Sequence, residues 1–174
     1  MTSAGAWSLR VCSAPGDNAH ARQVIDVAGG DGSVDLCVLA DGPRALRFDL
    51  RYRDPDYRTA PKAIFWAGWF VFGFGGRAVL LPEQGGAAVE VDLGCYFSDF
   101  LADDDYLLVT SGQGVVRLDR DAKTVWRNDA LGLDGVIIFD IEDSLIDGQG
   151  EWDPPDGWRD FLISLETGEA VDEA

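Results

Sequence analysis

The sequence predicts an all-β fold, and three observations support this prediction. Apolar and polar residues alternate along Ala45–Tyr52, which is the period of a half-buried strand. Gly-Gly and Asp-Gly pairs recur at short intervals and mark turns, and no segment carries a sustained helical stripe of apolar residues. At 174 residues with 47% hydrophobic content, the chain suits a single β domain, 1–174, with a core of its own.

Each predicted strand is a short apolar or alternating segment that ends at turn residues. Trp69–Phe74 is apolar on both faces and is therefore expected inside the fold, covered on both sides. A short helix within Asp17–Ala28 and a strand over Gln23–Val27 are alternatives for the same segment. In chain order, the other predicted strands are Trp7–Cys12, Val34–Leu39, Ala45–Tyr52, Ala78–Leu81, Ala87–Asp92, Tyr106–Thr110, Val115–Asp119, Thr124–Arg127, Val136–Ile146 and Asp160–Leu165.

One hairpin pattern occurs more than once in the chain. Residues 71–81 align without a gap on residues 108–118, and in both copies a strand reaches a Gly-rich turn and a second strand returns. A third, partial copy begins at Val136–Phe139 and ends with Phe161–Val171. Glycine suits these turns because tight hairpins need positive φ angles.

Two of these segments resemble parts of a known architecture. Leu108–Asp119, followed by Val125 and Trp126, resembles one blade of a β-propeller of the quinoprotein (PQQ-like) or WD type, and the Leu165–Glu169 turn resembles the inner hairpin of another blade. The resemblance implies an antiparallel meander of repeated hairpins with a propeller-like architecture, and a two-sheet sandwich is the competing arrangement. The metal- and quinone-binding residues of the enzymatic family members are not identifiable in the sequence, so no cofactor is expected.

The net charge belongs entirely to the second half of the chain. Residues 1–87 hold nine Arg or Lys and nine Asp or Glu, whereas residues 88–174 hold five bases and 22 acids. The acidic half, 88–174, therefore carries the whole formal charge of −17. Such an excess is tolerated on solvated surface or opposite a cationic partner, and it disfavours nucleic acid as a ligand.

The densest acidic segment is residues 140–160, which hold eight acids and one base. The sequence predicts a loop of about thirteen residues there, Asp147–Arg159, and hairpin loops of that length are unusual. Tryptophan is enriched at the centres of protein interfaces. We therefore expect an acidic docking loop, and the alternative is a surface excursion whose tryptophans fold back onto the sheet. The residues predicted to bind a partner are Asp147, Glu151, Trp152, Asp153, Asp156 and Trp158.

Catalytic and metal-binding patterns are weak in this sequence. The one histidine, His20, lies between alanines, and no nucleophile elbow or Walker loop is present. The segment from Asp143 resembles the start of a calcium loop, but Pro154 stands where a bidentate Glu is required. Asp140 and Glu142 lie on one face of a predicted strand, a spacing that would suit the acid and base of a glycosidase.

The cysteines, the N-terminus and the apolar runs indicate where in the cell the protein is expected. Cys12, Cys37 and Cys95 are odd in number and lack metal-ligand spacing, so they are expected to be reduced and mostly buried, as is typical of a cytoplasmic protein. The N-terminus lacks the basic and apolar regions of a signal peptide, and the longest apolar run, Ala63–Phe74, is too short to span a bilayer. These features predict a cytoplasmic location and no membrane contact.

Together, these features favour a non-enzymatic interaction protein whose acidic face binds a basic protein partner. A small acidic β protein without catalytic motifs resembles in type the immunity proteins that neutralise toxic nucleases, whose substrate grooves are basic. The alternative is a small-molecule or metal-dependent enzyme on a propeller-like scaffold that uses Asp140 and Glu142. A homo-oligomer is a further alternative, in which the strand that bears Arg47 and Arg51 faces the acidic half of a second copy.

Overall fold

All regular structure in the described part of the chain is β-strand. The structure, a computed structural model, describes residues 7–13, 23–27, 36–50, 59–153 and 157–171. These residues form fifteen strands and no helix, which confirms the all-β prediction. The strands are β1 (Ser8–Ser13), β2 (Gln23–Val27), β3 (Leu36–Asp41), β4 (Ala45–Leu50), β5 (Lys62–Trp66), β6 (Trp69–Phe74), β7 (Arg77–Pro82), β8 (Val89–Asp92), β9 (Phe97–Ala102), β10 (Tyr106–Ser111), β11 (Val115–Asp119), β12 (Thr124–Asn128), β13 (Val136–Glu142), β14 (Leu145–Glu151) and β15 (Trp158–Ser164).

The strands form four sheets that follow one another along the chain. The first sheet has the order β1-β3-β4-β2, the second β5-β6-β7-β8, the third β9-β10-β11-β12 and the fourth β13-β14-β15, and none of them closes on itself. Neighbouring strands are antiparallel except β2 and β4, which are parallel. The predicted meander is therefore confirmed for the second, third and fourth sheets. The first sheet departs from it because β2 joins the sheet beside β4.

Three apolar clusters join consecutive sheets into a stack. Phe48 of the first sheet packs on Phe70 and Phe72 of the second, with ring centroids 4.8 Å apart in both pairs. Val71, which lies between these two residues on β6, points the opposite way into the cluster that the second sheet shares with the third. Leu108 belongs to the last cluster, between the third and fourth sheets. The two central sheets are thus covered on both faces, which explains the unbroken apolar run of β6.

The structure corrects the predicted strand Val136–Ile146, which is two strands. β13 ends at Glu142, Asp143 and Ser144 form a two-residue turn, and β14 begins at Leu145. Both turn residues have left-handed φ angles, 50° and 62°, as in a type I′ hairpin turn. Turns of this type usually carry glycine, and this one carries none, so the glycine signal that marks the other predicted turns is missing here.

The same hairpin removes most of the predicted long loop. β14 continues to Glu151 and β15 begins at Trp158, so only residues 152–157 connect the two strands. The predicted loop Asp147–Arg159 is therefore wrong, because both of its ends are strand. Of the four acidic residues in the predicted loop, Asp147 and Glu151 lie on β14, Asp153 lies in the connection, and Asp156 lies outside the described residues.

Strands β5 and β9 were not predicted, and each has a local reason. β5 is continuous in sequence with the apolar run of β6, and the break between them is Ala67–Gly68, where Ala67 adopts a φ of 47°. In β9, Ser98 and Asp99 stand side by side and interrupt the alternation. For the segment with two alternatives, the strand Gln23–Val27 is observed, and the other residues of that segment lie outside the described ranges.

Candidate functional site

The fourth sheet is the last of the stack, and its outer face carries exposed carboxylates. Ile146 and Ile163 are fully buried against the third sheet. Because side chains alternate along a strand, their neighbours on β14 and β15 point away from the stack. Cross-strand register places the following residues on this outer surface, here called the acidic face: Ile137, Asp140, Glu142, Leu145, Asp147, Gln149, Glu151, Trp158, Asp160 and Leu162.

The acidic face contains an open groove of about 680 Å³. All three strands contribute to it, because Asp140 of β13 lies opposite Asp147 of β14, which lies opposite Leu162 of β15. Five carboxylates and four apolar residues line the groove, and no base is among them. The lining residues are Asp140, Glu142, Asp143, Leu145, Asp147, Asp160, Phe161, Leu162 and Val171.

The carboxylates of the groove remain hydrated. Asp140, Glu142, Asp147 and Asp160 are exposed, which is the condition under which a folded chain tolerates so many like charges. Gln149 donates a hydrogen bond from Nε2 to Oδ1 of Asp160 at 2.6 Å, and this is the one side-chain bond that a groove carboxylate accepts from another side chain within the described residues. The negative potential of the groove is therefore left largely uncompensated.

The one base of the fourth sheet faces away from the groove. Arg159 lies opposite Gly150, on the side of β15 that faces the stack, whereas Trp158 lies opposite Glu151 on the acidic face. The guanidinium carbon of Arg159 lies 5.7 Å from the ring centroid of Trp152, which is a cation–π arrangement. Arg159 is thus engaged within the β14–β15 connection and leaves the charge of the acidic face unchanged.

The predicted partner-binding residues are divided between two places. Asp147, Glu151 and Trp158 lie on the acidic face, whereas Trp152 and Asp153 belong to the connection after β14. Asp156 lies outside the described residues. Trp152 is half-buried, and its backbone N–H donates to the carbonyl of Gly157 at 2.9 Å. Trp158 is the more exposed of the two, with 38% of its surface accessible.

Apolar side chains at the edge of the acidic face were missed from the sequence. Leu133, Ile137 and Phe139 are 52%, 46% and 56% exposed, and each lies on β13 or directly before it. Register shifts between Ile138 and Asp140, where a bulge turns Phe139 outward. In the sequence, Ile137 and Phe139 belong to the apolar run 136–139 that is typical of a buried strand, so only the bulge and the edge position of β13 reveal their exposure.

Asp140 and Glu142, the carboxylates of the enzymatic alternative, do point into the groove from neighbouring outward positions of β13. Within the described ranges, no three His, Cys, Asp or Glu side chains come together in a way that could hold a metal ion. His20 lies outside those ranges. The structure thus provides two hydrated carboxylates in a concave surface without an assembled metal centre in the described residues.

Arg47, the residue proposed to contact a second copy, is not on the surface. It is 7% exposed and pairs with Asp49, two positions along the same strand, with Nε 2.5 Å from Oδ1. Arg51 lies outside the described residues. The charge of Arg47 is therefore neutralised inside the first sheet, and the structure provides no support for pairing through this side chain.

Comparison of the chain with protein-family models and with curated proteins finds no match. Among the described residues, no helix has the length and apolarity needed to cross a membrane. The functional argument therefore rests on the geometry and charge of the acidic face.

Proposed function

We propose that this chain is a non-enzymatic protein-interaction module that binds a basic protein through the acidic face. The supporting observation is the composition of that face, where five carboxylates line a groove and no described base lies on it. Opposite charge accelerates encounter, and the exposed apolar residues Ile137, Phe139 and Trp158 supply contact area at short range. A rigid three-stranded sheet holds these groups in place, which lowers the entropy lost on binding.

We also propose a propeller-like architecture for the stack. The second and third sheets are four-stranded meanders, and consecutive sheets pack on each other through apolar faces, as propeller blades do. The two aligned hairpins of the sequence are β6–β7 and β10–β11, which occupy the same central position in their sheets. In this arrangement the acidic face is the free side of the last blade, and a two-sheet sandwich is the competing description.

The partner class that fits best is a protein whose own functional groove is basic. An acidic surface that covers such a groove competes with nucleic acid for it, as immunity proteins against toxic nucleases do. The proposal therefore includes an inhibitory role against a basic toxin or nuclease, and the gene neighbourhood would supply the candidate partner.

A charge-matched pair of variants tests the binding proposal. The triple variant Asp140→Asn, Asp147→Asn, Asp160→Asn removes three charges from the acidic face. The control variant Asp103→Asn, Asp104→Asn, Asp105→Asn removes three charges from the exposed turn between β9 and β10. Calorimetric titration with a short Lys- and Arg-rich peptide should give at least about a tenfold loss of affinity for the first variant and little change for the control. Equal losses in both variants would show that net charge alone governs binding and would contradict the proposal.

Growth rescue tests the inhibitory role. The chain is expressed together with each toxin or nuclease encoded beside its gene, and growth is compared between the wild type, the acidic-face variant and the control variant. Rescue by the wild type and the control, but not by the acidic-face variant, is the expected result. Absence of rescue by the wild type, together with absence of binding to the purified toxin, rejects the inhibitory role.

A second candidate function is favoured by one observation, the entry of Asp140 and Glu142 into a concave groove. In a glycosidase, one such carboxyl group protonates the leaving oxygen and the other acts as base or nucleophile. Hydrolysis of a panel of nitrophenyl glycosides by the wild type, lost in Glu142→Gln, would support this function. No hydrolysis by the wild type, together with groove-dependent peptide binding, would decide for the interaction module.

A further inference from the structure

Glu151 is the least exposed carboxylate of the acidic face. It is 9% exposed, whereas the carboxylates of the groove are exposed. The segment before β13 returns over it, since the backbone N–H of Leu133 donates to its carbonyl at 2.7 Å and its own N–H donates to the carbonyl of Gly135 at 2.9 Å. The end of β14 is therefore enclosed by a neighbouring loop.

The Glu151 carboxylate shares a small space with the edge of Trp158. A β-carbon built on Gly135 would lie 2.8 Å from Cη2 of Trp158 and 3.6 Å from Oε2 of Glu151. Because position 135 is glycine, the indole can lie directly over the backbone beside the carboxylate. The two side chains also face each other in register across β14 and β15.

No positive group within the described residues completes this site. No described group donates a hydrogen bond to the Glu151 carboxylate, and no described base pairs with it. The nearest base along the chain, Arg159, is on the opposite side of β15 against Trp152. Within the described residues, the one fully buried side-chain polar atom without a partner is Nε of Arg117, so the Glu151 oxygens reach solvent and can accept hydrogen bonds from a cation outside the chain.

We propose that Glu151 and Trp158 form a receptor for one arginine side chain of the partner. A guanidinium stacks on an indole and donates two parallel hydrogen bonds to a carboxylate, a combination that an ammonium group does not match. Leu133 and Ile137, both about half exposed, flank the site and can contact the methylene groups of the arginine. This inference rests on the proposed function and adds to it the residue that the partner presents.

Small-molecule probes test the receptor without the partner. N-acetyl-arginine amide and N-acetyl-lysine amide are titrated separately into the full chain, and NMR spectra follow the backbone amides of Gly135 and Glu151 and the indole N–H of Trp158. The arginine probe should give saturable shifts at these three positions, and the lysine probe should bind at least about threefold more weakly. Glu151→Gln should abolish the arginine-specific shifts while the dispersion of the spectrum stays that of a folded chain.

Matched variants separate the receptor from the general negative potential. Asp160→Asn removes a charge from the same face outside the receptor and should leave the arginine shifts in place. Trp158→Leu should weaken the arginine probe about fivefold, because stacking is lost while the carboxylate remains. Equal binding of the two probes, unaffected by Glu151→Gln, would overturn the receptor.

The failure of the receptor and the failure of the proposed function are distinguishable. If the acidic-face triple variant weakens binding of the basic peptide, and replacing every Arg of the peptide by Lys does not, the interaction module stands and the arginine receptor is rejected. If the triple variant has no effect on peptide binding, the proposed function is rejected whatever the small probes show.

A second inference rests on a different observation, the cysteines of the first sheet. All three cysteines are free thiols, and only Cys37 is buried, so the expectation of mostly buried thiols holds for one of them. Cys12 of β1 lies directly opposite Cys37 of β3 in an antiparallel pair. Opposed residues of such a pair have Cα atoms about 4.5 to 5.5 Å apart, which is within the range that a disulfide bridges.

We infer that Cys12 and Cys37 form a reversible disulfide with a low-molecular-weight disulfide as oxidant. The Cys12 thiolate, which is the more accessible, attacks one sulfur of glutathione disulfide and releases one glutathione thiolate. The Cys37 sulfur, its proton lost to solvent, then attacks the Cys12 sulfur and releases the second glutathione. The two protein thiols are oxidised by two electrons and glutathione disulfide is reduced to two glutathione molecules.

Burial is consistent with this order of attack. The pKa of Cys37 is raised, mainly by burial and in addition by the neighbouring Cys12 thiol. The Arg47 guanidinium opposes this shift. The Cys37 thiol is therefore protonated at neutral pH and reacts second.

Oxidation of single-cysteine variants tests the second inference. After incubation with glutathione disulfide, Cys95→Ser should lose two hydrogens in its mass spectrum and show a linkage between Cys12 and Cys37 after digestion. Cys37→Ser should stop at the glutathione adduct of Cys12. A wild-type chain that remains fully reduced, or that links Cys95 instead, contradicts the proposal.

Discussion

Gly73 on β6 offers a direct test of how the second and third sheets pack. A β-carbon there would overlap the ring of Phe97, which is fully buried. The φ of Gly73 is not left-handed, so Gly73→Ala adds steric overlap without backbone strain. Overpacking a closed core costs about 1 to 3 kcal/mol, and in a chain of this length about 1 kcal/mol lowers the unfolding midpoint by about 2 to 4 °C. We therefore expect the midpoint of Gly73→Ala to fall by roughly 2 to 12 °C.

A double-mutant cycle with Phe97→Leu identifies the cause of that loss. Leucine removes the ring atoms that the new methyl group would meet, so Gly73→Ala should cost about 1 kcal/mol less in the Phe97→Leu background. Denaturant unfolding followed by circular dichroism measures the four free energies of unfolding. If the two single changes add to within about 0.5 kcal/mol, the sheets do not pack through this contact and the reasoning is refuted.

Three further changes test other parts of the structure. Ser144→Gly should raise the free energy of unfolding by about 0.5 kcal/mol, because glycine adopts the left-handed turn without a steric cost, and the same denaturant assay measures it. Asp49→Asn should cost about 3 kcal/mol, because it leaves the buried guanidinium of Arg47 without its counter-charge, and the double variant Arg47→Met, Asp49→Leu should recover most of that loss. Burial raises the pKa of Cys37 from 9.0 and that of Tyr106 from 10.0, so the folded chain holds these protons more tightly than the unfolded chain. The stability they contribute is complete below pH 9.0 and is lost as pH rises through the raised values, and Cys37→Ala should remove the part of the alkaline decline that begins near pH 9.

The strands with clear local signals could be predicted from the sequence. Two strands have the predicted bounds: Trp69–Phe74, a continuous apolar run between two glycines, and Val115–Asp119, a mostly apolar segment that follows Gly114. The turn at Asp143–Ser144 could not be predicted, since its left-handed residues are held by strand pairing on both sides and not by glycine. The position of that turn determines that residues 145–151 form a strand and are not part of a long loop.

The sequence located the candidate site correctly along the chain but did not predict its three-dimensional form. Residues 140–160 were identified from their acids, and Asp147, Glu151 and Trp158 do lie on the acidic face. The sequence did not show that Glu151 is largely buried, because its burial depends on the loop before β13 and on the absence of a side chain at Gly135. The burial of Arg47 was hidden as well, because alternation places Arg47 and Asp49 on one face of the strand but does not tell that this face is covered.

The sequence by itself determined the strand composition of this protein and the half of the chain in which the charge lies. Both are local properties, fixed by side-chain alternation and by composition. The tertiary structure alone decided that the fourth sheet ends the stack, so that one of its faces meets the third sheet and the other meets water. A strand's alternation tells which residues share a face, but the packing of distant sheets decides which face is covered. For this reason the acidic half formed one defined acidic face, with Glu151 largely buried beside Trp158, only in the folded chain.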